Sequence, residues 1–508
     1  MSFLEAIRKF KDMPGDYETV NFFDTLYSGL TVGLVYTLSA GARLMGLNKP
    51  WQPGEKLQVL FLAYSGARNT GAEVRVAECI RQVNQVLGAD NIDINMMSLD
   101  IKEAEEYFKG YQVKMQHLNP VFFKDVYQHV LKNHLIVLVE GSCWKENFAT
   151  ALLLYFIYGA GLARKLGKPS FSYAVDAGQM NKINNFTSWL LSQDTKLITR
   201  SAMANEVLEK IHLHGAINRV DTAWSMPTAS AAWADETLKK LGWDGKKKLA
   251  GLAFQNYFWW PILPNLMAFA KTLITGDKTN QYKMVYYYDY DAEDKKKYEA
   301  FRDECAAFVD KIVEKYDVQP VIVAMEALDD DACRDLVQHL QGRAILISCK
   351  EYPGMEIAAV LRRLSLLVTT RYHAMVLSMP GAIPFVGLSR DERIMGVMRE
   401  IGEADNYYVD YRTENLLNVL LQKAEQLLGN AKEAKRYTAV IKDHLPYYFA
   451  QMGLLGLDIR DLVKEKFPQF TLPNVDENDV GQLVPYIPPD YLAATKKEFM
   501  KIKSAERR

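Results

Sequence analysis

LSLLVTTRYHAMVLSMPGAIPFVGLSRDERI, residues 364–394, decides how the rest of the chain is read. Residues 364–370 are an apolar, β-rich run that ends on Arg371-Tyr372-His373. Residues 374–379 have the apolarity of a buried helix and stop at Pro380-Gly381. Residues 383–388 form a second apolar run with Pro384 near its start. Strand, turn, helix and strand in this order make a parallel α/β unit. In an open parallel sheet, ligands bind at the carboxyl ends of the strands. Arg371 and His373 stand at such an end, where the next helix opens and its free N–H groups favour an anion.

The alternation continues outward. Residues 249–255, 283–290, 320–325, 344–348 and 407–411 read as strands, with helices between most of them and the longest over 291–315. LGWDGKKK at 241–248 is a Gly- and Lys-rich break. Before it, residues 57–65, 92–99, 134–140, 171–177, 196–199 and 218–222 read as strands and 72–87 as a helix. Such alternation implies parallel sheets with right-handed crossovers. The expected fold is α/β, with two Rossmann-like domains facing a cleft. A helical extension (1–55) precedes an N-terminal domain (56–243) and a C-terminal domain (244–445). A helical to irregular tail (446–508) ends on the charged KKEFMKIKSAERR, expected to be exposed. Residues 371–373 should face the loop at 66–71 across the cleft.

Several strand ends carry residues suited to chemistry. Ser65-Gly66-Ala67-Arg68-Asn69-Thr70-Gly71 follows the first strand and opens a helix. It lacks both the Gly-x-Gly-x-x-Gly spacing of a dinucleotide loop and the Gly-Lys-Ser/Thr of a P-loop. It reads as a tight turn or as a loop whose glycines let backbone N–H groups approach an anion. Glu140-Gly141-Ser142-Cys143-Trp144-Lys145 ends another strand, and Ser142 and Lys145 are candidates to touch an acceptor or an anion. Arg200 ends a third strand, and Asp221 either faces the cleft or caps a turn. The aromatic run 257–260 is read as a packed cluster, a sugar-stacking platform or a membrane-surface element. Asp329-Asp330-Asp331 is read as a helix start rather than a metal site. His212 and His214 lack further ligands, so no metal is assigned.

The Thr-Arg-x-His-Ala of 370–374, the Gly-x-x-Pro-x-x-Gly of 381–387 and the polar loop 389–393 resemble the C-terminal signature of polysaccharide pyruvyl transferases. The resemblance covers about residues 57–412 and is closest around 351–394. It implies a GT-B-like architecture whose C-terminal domain binds the donor, phosphoenolpyruvate, with no other cofactor. The reaction implied moves pyruvate as a ketal onto a sugar of a cell-surface polysaccharide or its lipid-linked precursor. It marks His373 and Arg371 as catalytic donor contacts. It adds Gly66, Arg68, Asn69, Gly71, Ser142, Lys145, Arg200 and Arg393 as substrate-binding candidates. Four positions depart from the family pattern. Glu140 opens a turn that is usually Gly-Gly-Gly-like and is kept here only as Gly141-Ser142. Ala72, followed by Glu73, stands where Asp is usual. Glu326 replaces a frequent His, and Arg393 replaces a frequent Lys. Two other readings are a nucleotide-sugar glycosyltransferase of the same architecture and a binding protein that kept the fold without the chemistry. The first would usually carry a Glu where Arg371-Tyr372-His373 stands.

The 508 residues carry a net charge of −1, so no global field draws the chain to nucleic acid or anionic lipid, and any anion site must be local. Five scattered cysteines point to a reducing compartment rather than a disulfide framework. The N-terminus does not read as a signal peptide. The expected location is the cytoplasm, with peripheral contact at the inner face of a membrane. Residues 25–42 are uncharged but rich in Gly, Ser and Thr, which suits a buried or interfacial helix rather than a span. Residues 147–163 read as a buried helix, and 249–270, broken by Pro261 and Pro264, as strand, aromatic loop and helix.

Overall fold

The computed structural model describes residues 3–15, 22–146, 150–259, 262–276, 278, 280–283 and 286–506. The first domain holds strands β1 (Leu57–Ala63), β2 (Ile92–Ser98), β3 (Lys114–His117), β4 (Leu135–Val139), β5 (Ser170–Ser172) and β6 (Thr195–Lys196). They pair in the order 3-2-1-4-5-6, all parallel. A separate parallel pair, β7 (Ile198–Thr199) and β8 (Ile217–Asn218), follows. Strand β9 (Leu249–Ala253) opens the second domain. A small antiparallel sheet then forms from β10 (Ile262–Pro264), β11 (Gln281–Lys283) and β12 (Tyr286–Tyr288). The second large sheet is completed by β13 (Gln319–Ala324), β14 (Ile345–Ser348), β15 (Leu366–Thr369), β16 (Phe385–Leu388) and β17 (Tyr408–Val409). Its order, β14-β13-β9-β15-β16-β17, repeats that of the first domain, again all parallel.

The central strands are apolar on both faces because helices cover both. β1, β4, β9 and β15 are buried almost residue for residue. The interior of the second domain joins one side of the first in a single core that runs through the domain contact. The other face of the first sheet packs under the helices Phe123–Lys132 and Thr150–Leu166.

Four expectations change. Residues 283–290 do not join the large sheet; β12 pairs with β10 and β11 in the small one. β12 runs antiparallel to both of its neighbours, whereas the large sheet is parallel throughout. Residues 217–218 pair only with β7. The helix Ala431–Lys466 runs through the expected boundary at 445, with Pro446 inside it. Its second half packs on the first domain, where Gln82 donates to the carbonyls of Met452 and Leu483, and Arg219 pairs with Asp458. The tail therefore ties the domains together. The final helix, Pro489–Glu506, buries Phe499 and Lys503 against it rather than standing free.

Residues 25–42 lie in the helix Phe22–Leu44, packed on the helices Thr150–Leu166 and Lys182–Ser192. Among the described residues no helix is long and apolar enough to cross a membrane. Residues 150–166 form the expected buried helix; 147–149 lie outside the described residues.

Candidate active site

The loop after β1 and the strand end after β13 meet as backbone. Thr70 N donates to Met325 O at 2.8 Å and Ala327 N to Arg68 O at 3.1 Å, so Asn69 and Glu326 form an antiparallel bridge between domains. Asn69 also caps the helix Thr70–Leu87, its side chain accepting from Ala72 N at 3.2 Å. Gly71, in the first turn of that helix, lies against His373. A Cβ at Gly71 would fall 1.9 Å from His373 Nδ1, so only glycine fits while the ring stays there. Residues 371–373 thus face the 66–71 loop.

His373 sits in the first turn of the helix Tyr372–Ser378, at the C-terminal end of β15. Its Nε2 is 3.5 Å from Asp221 Oδ2, too far to count as a hydrogen bond, and is otherwise without a partner in the protein. Burial pushes the imidazole down to about 4. Asp221 pulls the other way, and Arg200 and Arg393 add to the lowering. His373 is therefore neutral near pH 7 in the free protein, and an anion placed beside it would raise its proton affinity.

Asp221 is the hub. Its Oδ2 accepts from Arg200 Nη1 at 2.5 Å and lies 3.2 Å from Arg75 Nε, while Oδ1 accepts from Ala223 N at 2.9 Å and caps the turn Thr222–Ser225. The two sequence readings of Asp221 are thus both realised. Although burial opposes ionisation, Arg75, Arg200 and His373 hold its carboxyl well below the usual carboxylate range. Arg200 also lies 3.3 Å from Asp176, and its guanidinium packs on Gly141, where a Cβ would fall 2.5 Å from Nη2.

The Tyr372 ring lies between two guanidiniums, with Arg200 and Arg393 each 5.2 Å from its centroid. Arg393 forms a bidentate pair with Asp391, Nε to Oδ1 at 2.8 Å and Nη2 to Oδ2 at 2.5 Å. Lys145 Nζ is 3.9 Å from Glu392, and Ser142 is buried in the same turn. Buried polar atoms without a hydrogen-bond partner gather here: Arg75 Nη1, Arg200 Nε, Glu140 Oε2 and His373 Nε2, with Arg75 Nε only ion-paired to Asp221. Native interiors rarely leave such atoms unpaired, which makes this cluster the candidate ligand site.

Arg371 and Arg68, like Arg200 and Arg393, are already paired within the protein. Arg371 forks onto Asp329, Nε to Oδ2 at 2.9 Å and Nη2 to the other oxygen, and Nη2 is 3.1 Å from Glu326. Asp329 in turn accepts from Glu326 N and helps cap the helix Ala327–His339. Arg68, held with a left-handed φ of 48°, reaches Glu103, Glu106 and the carbonyls of Cys349 and Lys350. Gly66 donates to Glu73 Oε1 at 2.7 Å, and Ser65 Oγ to Oε2 at 2.8 Å. Burial pushes this glutamic acid up to about 7. Glu73, one residue beyond the family's Asp position, thus organises the loop from beneath.

Sequence reasoning missed Arg75, Tyr372 and Asp176. The signal for Arg75 was present, since Glu73, Arg75 and Glu78 sit inside a helix buried along most of its length. Charges there need partners. Of the aromatic run, Tyr257 reaches the strand ends by donating to Leu388 O at 2.9 Å, Phe258 and Trp259 pack beside it, and Trp260 lies outside the described residues. Among the described residues no cluster of His, Cys, Asp or Glu is arranged to hold a metal ion.

The structure of a putative UDP-N-acetylglucosamine 2-epimerase from Listeria monocytogenes matches this chain with a TM-score of 0.52 at 13% identity, covering 82% of this chain and 98% of that one. A UDP-GlcNAc 2-epimerase from Neisseria meningitidis, bound to UDP-GlcNAc, gives 0.50 at 10% identity, covering 80% and 99%. At such identities the likeness establishes the fold, two Rossmann-like domains in the GT-B arrangement. Among curated protein sequences none matches. The family described as polysaccharide pyruvyl transferase matches residues 69–392, from the N-cap of the glycine loop to the polar loop after β16. The chain belongs to the polysaccharide pyruvyl transferase family.

Proposed function

We propose that this transferase moves the pyruvyl group of phosphoenolpyruvate onto two hydroxyls of a sugar, in a cell-surface polysaccharide or its lipid-linked precursor. It would work in the cytoplasm at the inner face of a membrane. The observation that carries the reading is the unpartnered Nε2 of His373, set beside Asp221 and near Arg200 and Arg393. Phosphoenolpyruvate is a compact trianion at most, and guanidinium forks suit both its phosphate and its carboxylate. Arg200 and Arg393 are the donor ligands in this reading, with Lys145 and Ser142 on the acceptor side. Arg371 is a positioning residue in this reading: Asp329 and Glu326 hold its fork and, unlike Arg200 and Arg393, it is not among the charges that act on His373.

The chemistry balances with no further reactant. A proton adds to the methylene carbon, and one sugar hydroxyl attacks the neighbouring carbon as it loses its proton. Phosphate leaves with the C–O bonding pair, and the second hydroxyl attacks and gives up its proton, closing the ketal. His373, neutral before binding, becomes a better proton carrier once the donor's charge arrives, which suits it to bring the proton to the methylene carbon.

Calorimetric titration with phosphoenolpyruvate, and separately with nucleotide sugars, tests this. Arg393→Gln should weaken phosphoenolpyruvate binding by about 1.5–3 kcal/mol, the range for a hydrogen bond to a charged group. His373→Gln should cut turnover by about 10²–10⁴-fold with a smaller loss of affinity. Tight binding of a nucleotide sugar with none of phosphoenolpyruvate would replace this reading with that of a glycosyltransferase.

A further inference from the structure

Two stretches of the sequence are almost free of charge. Residues 25–42 carry none, and residues 254–276 carry only Lys271. The helix Phe22–Leu44 buries polar Ser28, Thr31 and Ser39 along with Val35 and Ala42, while Leu26 and Leu30, 56% and 45% exposed, face outward. The helix Leu266–Thr275 exposes Met267, Leu273 and Ile274 at 85%, 71% and 85%. A water-facing helix keeps its large apolar side chains inward, and both of these leave several in solvent.

A continuous set of contacts joins them past the active site. Asp24 and Ser28 bond to Asn181 and Asn184, and both asparagines bond to Glu146, next to Lys145. Lys145 meets Glu392, in the loop that carries Arg393. Arg390 of that loop lies over Tyr411, which stacks on Tyr257 at 4.2 Å. Two residues on, Trp259 packs on Tyr288 of the small sheet, and the neighbouring Tyr287 bonds to Thr272 of the exposed helix. Lys11, in the helix before the first face, and Lys271 and Lys278, in and after the second, are exposed, and Lys182 reaches the carbonyl of Lys11.

We propose that the protein docks on an anionic lipid bilayer through these two faces, one from each domain, with the cleft mouth opening onto the headgroups. Apolar side chains, an aromatic girdle at Trp259, Tyr288 and Tyr290, and flanking lysines are the chemistry that recognises a membrane surface. Contact through both domains places a lipid-linked acceptor within reach of His373 without extracting it. The acceptor's role rests on the functional reading above; the docking does not.

Vesicle flotation with the full chain tests it, using phosphatidylcholine alone and phosphatidylcholine mixed with phosphatidylglycerol. The wild type should bind the mixed vesicles, less so at high salt. Leu26→Glu/Leu30→Glu and Met267→Glu/Ile274→Glu should each lower binding by roughly tenfold or more, the scale of burying one leucine-sized side chain, and together abolish it. All four positions are exposed, so the fold and phosphoenolpyruvate affinity should be unchanged. A wild type that ignores both vesicle types, or a combined variant that still floats, overturns the proposal. So does a chain that ignores vesicles but dimerises through these positions in sedimentation, because the faces would then cover a second copy. Loss of phosphoenolpyruvate binding with vesicle binding intact would count against the functional reading alone.

Discussion

Replacing Gly71 by alanine should show how tightly the two domains hold the candidate proton donor, His373. The new methyl would lie 1.9 Å from His373 Nδ1 and 2.5 Å from Cγ, where ordinary contact begins at 3.4 Å. The ring must therefore retreat by about 1.5 Å or the domains must part. Neither backbone yields easily, because the helix Thr70–Leu87 is buried over most of its length and Tyr372 and Ala374 flank His373 inside the core. Overpacking of this kind costs about 1–3 kcal/mol, from which the better helix propensity of alanine returns up to about 1 kcal/mol. The larger effect should be on rate, since misplacing a reacting group by about 1 Å costs about 10²-fold. Urea unfolding measures the first effect and phosphate release from phosphoenolpyruvate the second. His373→Ala removes the atoms in the way, so the stability penalty of Gly71→Ala should vanish in that background, leaving a coupling energy about the size of the penalty. Wild-type stability and rate in Gly71→Ala would refute the closed contact between the domains. A penalty that persists without the His373 ring would place the conflict elsewhere.

Arg371→Ala leaves Asp329 and Glu326 buried without their cation and should destabilise the chain by about 3–5 kcal/mol, while the affinity of the folded protein for phosphoenolpyruvate holds. Asp329→Ala in the same chain should restore part of the stability, and a fall in affinity that tracks Arg371 alone would return it to the donor site. Burial pushes Glu73 and Glu78 up to about 7 and Asp329 to about 6, so between about pH 5 and 7 the folded chain binds more of these protons than the unfolded one and loses stability as pH rises. His373, lowered to about 4, acts in the opposite sense together with His129, His134 and His212, which burial also lowers, but Glu140, Glu146, Glu356, Glu400 and Asp458, raised by burial, add to the carboxyl side. The urea midpoint should therefore be higher at about pH 5 than at about pH 7.5, and Glu73→Gln, which can still bond to Ser65 and Gly66, should flatten the slope by up to about 1.4 kcal/mol per pH unit. A midpoint that climbs steadily across that range would contradict the buried neutral carboxyls.

Local order was readable from residue types alone. The apolar runs at 57–63, 135–139, 249–253 and 366–369 are strands because they must be dry on both faces, and the Pro/Gly breaks near 53 and 380 punctuate them as expected. The family signature around Arg371-Tyr372-His373 was legible because it is contiguous, and so was its place at a strand end opposite the glycine loop. Pairing was not legible. Nothing local tells that Arg371 is held by Asp329, 42 positions earlier, or that Asp221 gathers Arg75, Arg200 and His373 from three separate segments. A charge in a sequence is only a demand for a partner, and long-range packing decides whether protein or ligand meets it. The sequence by itself determined a doubly wound α/β chain of two domains with an anion-suited motif. Only the tertiary structure decided which cations surround His373 and which carboxylates hold them, because that depends on which distant segments the folded backbone brings together.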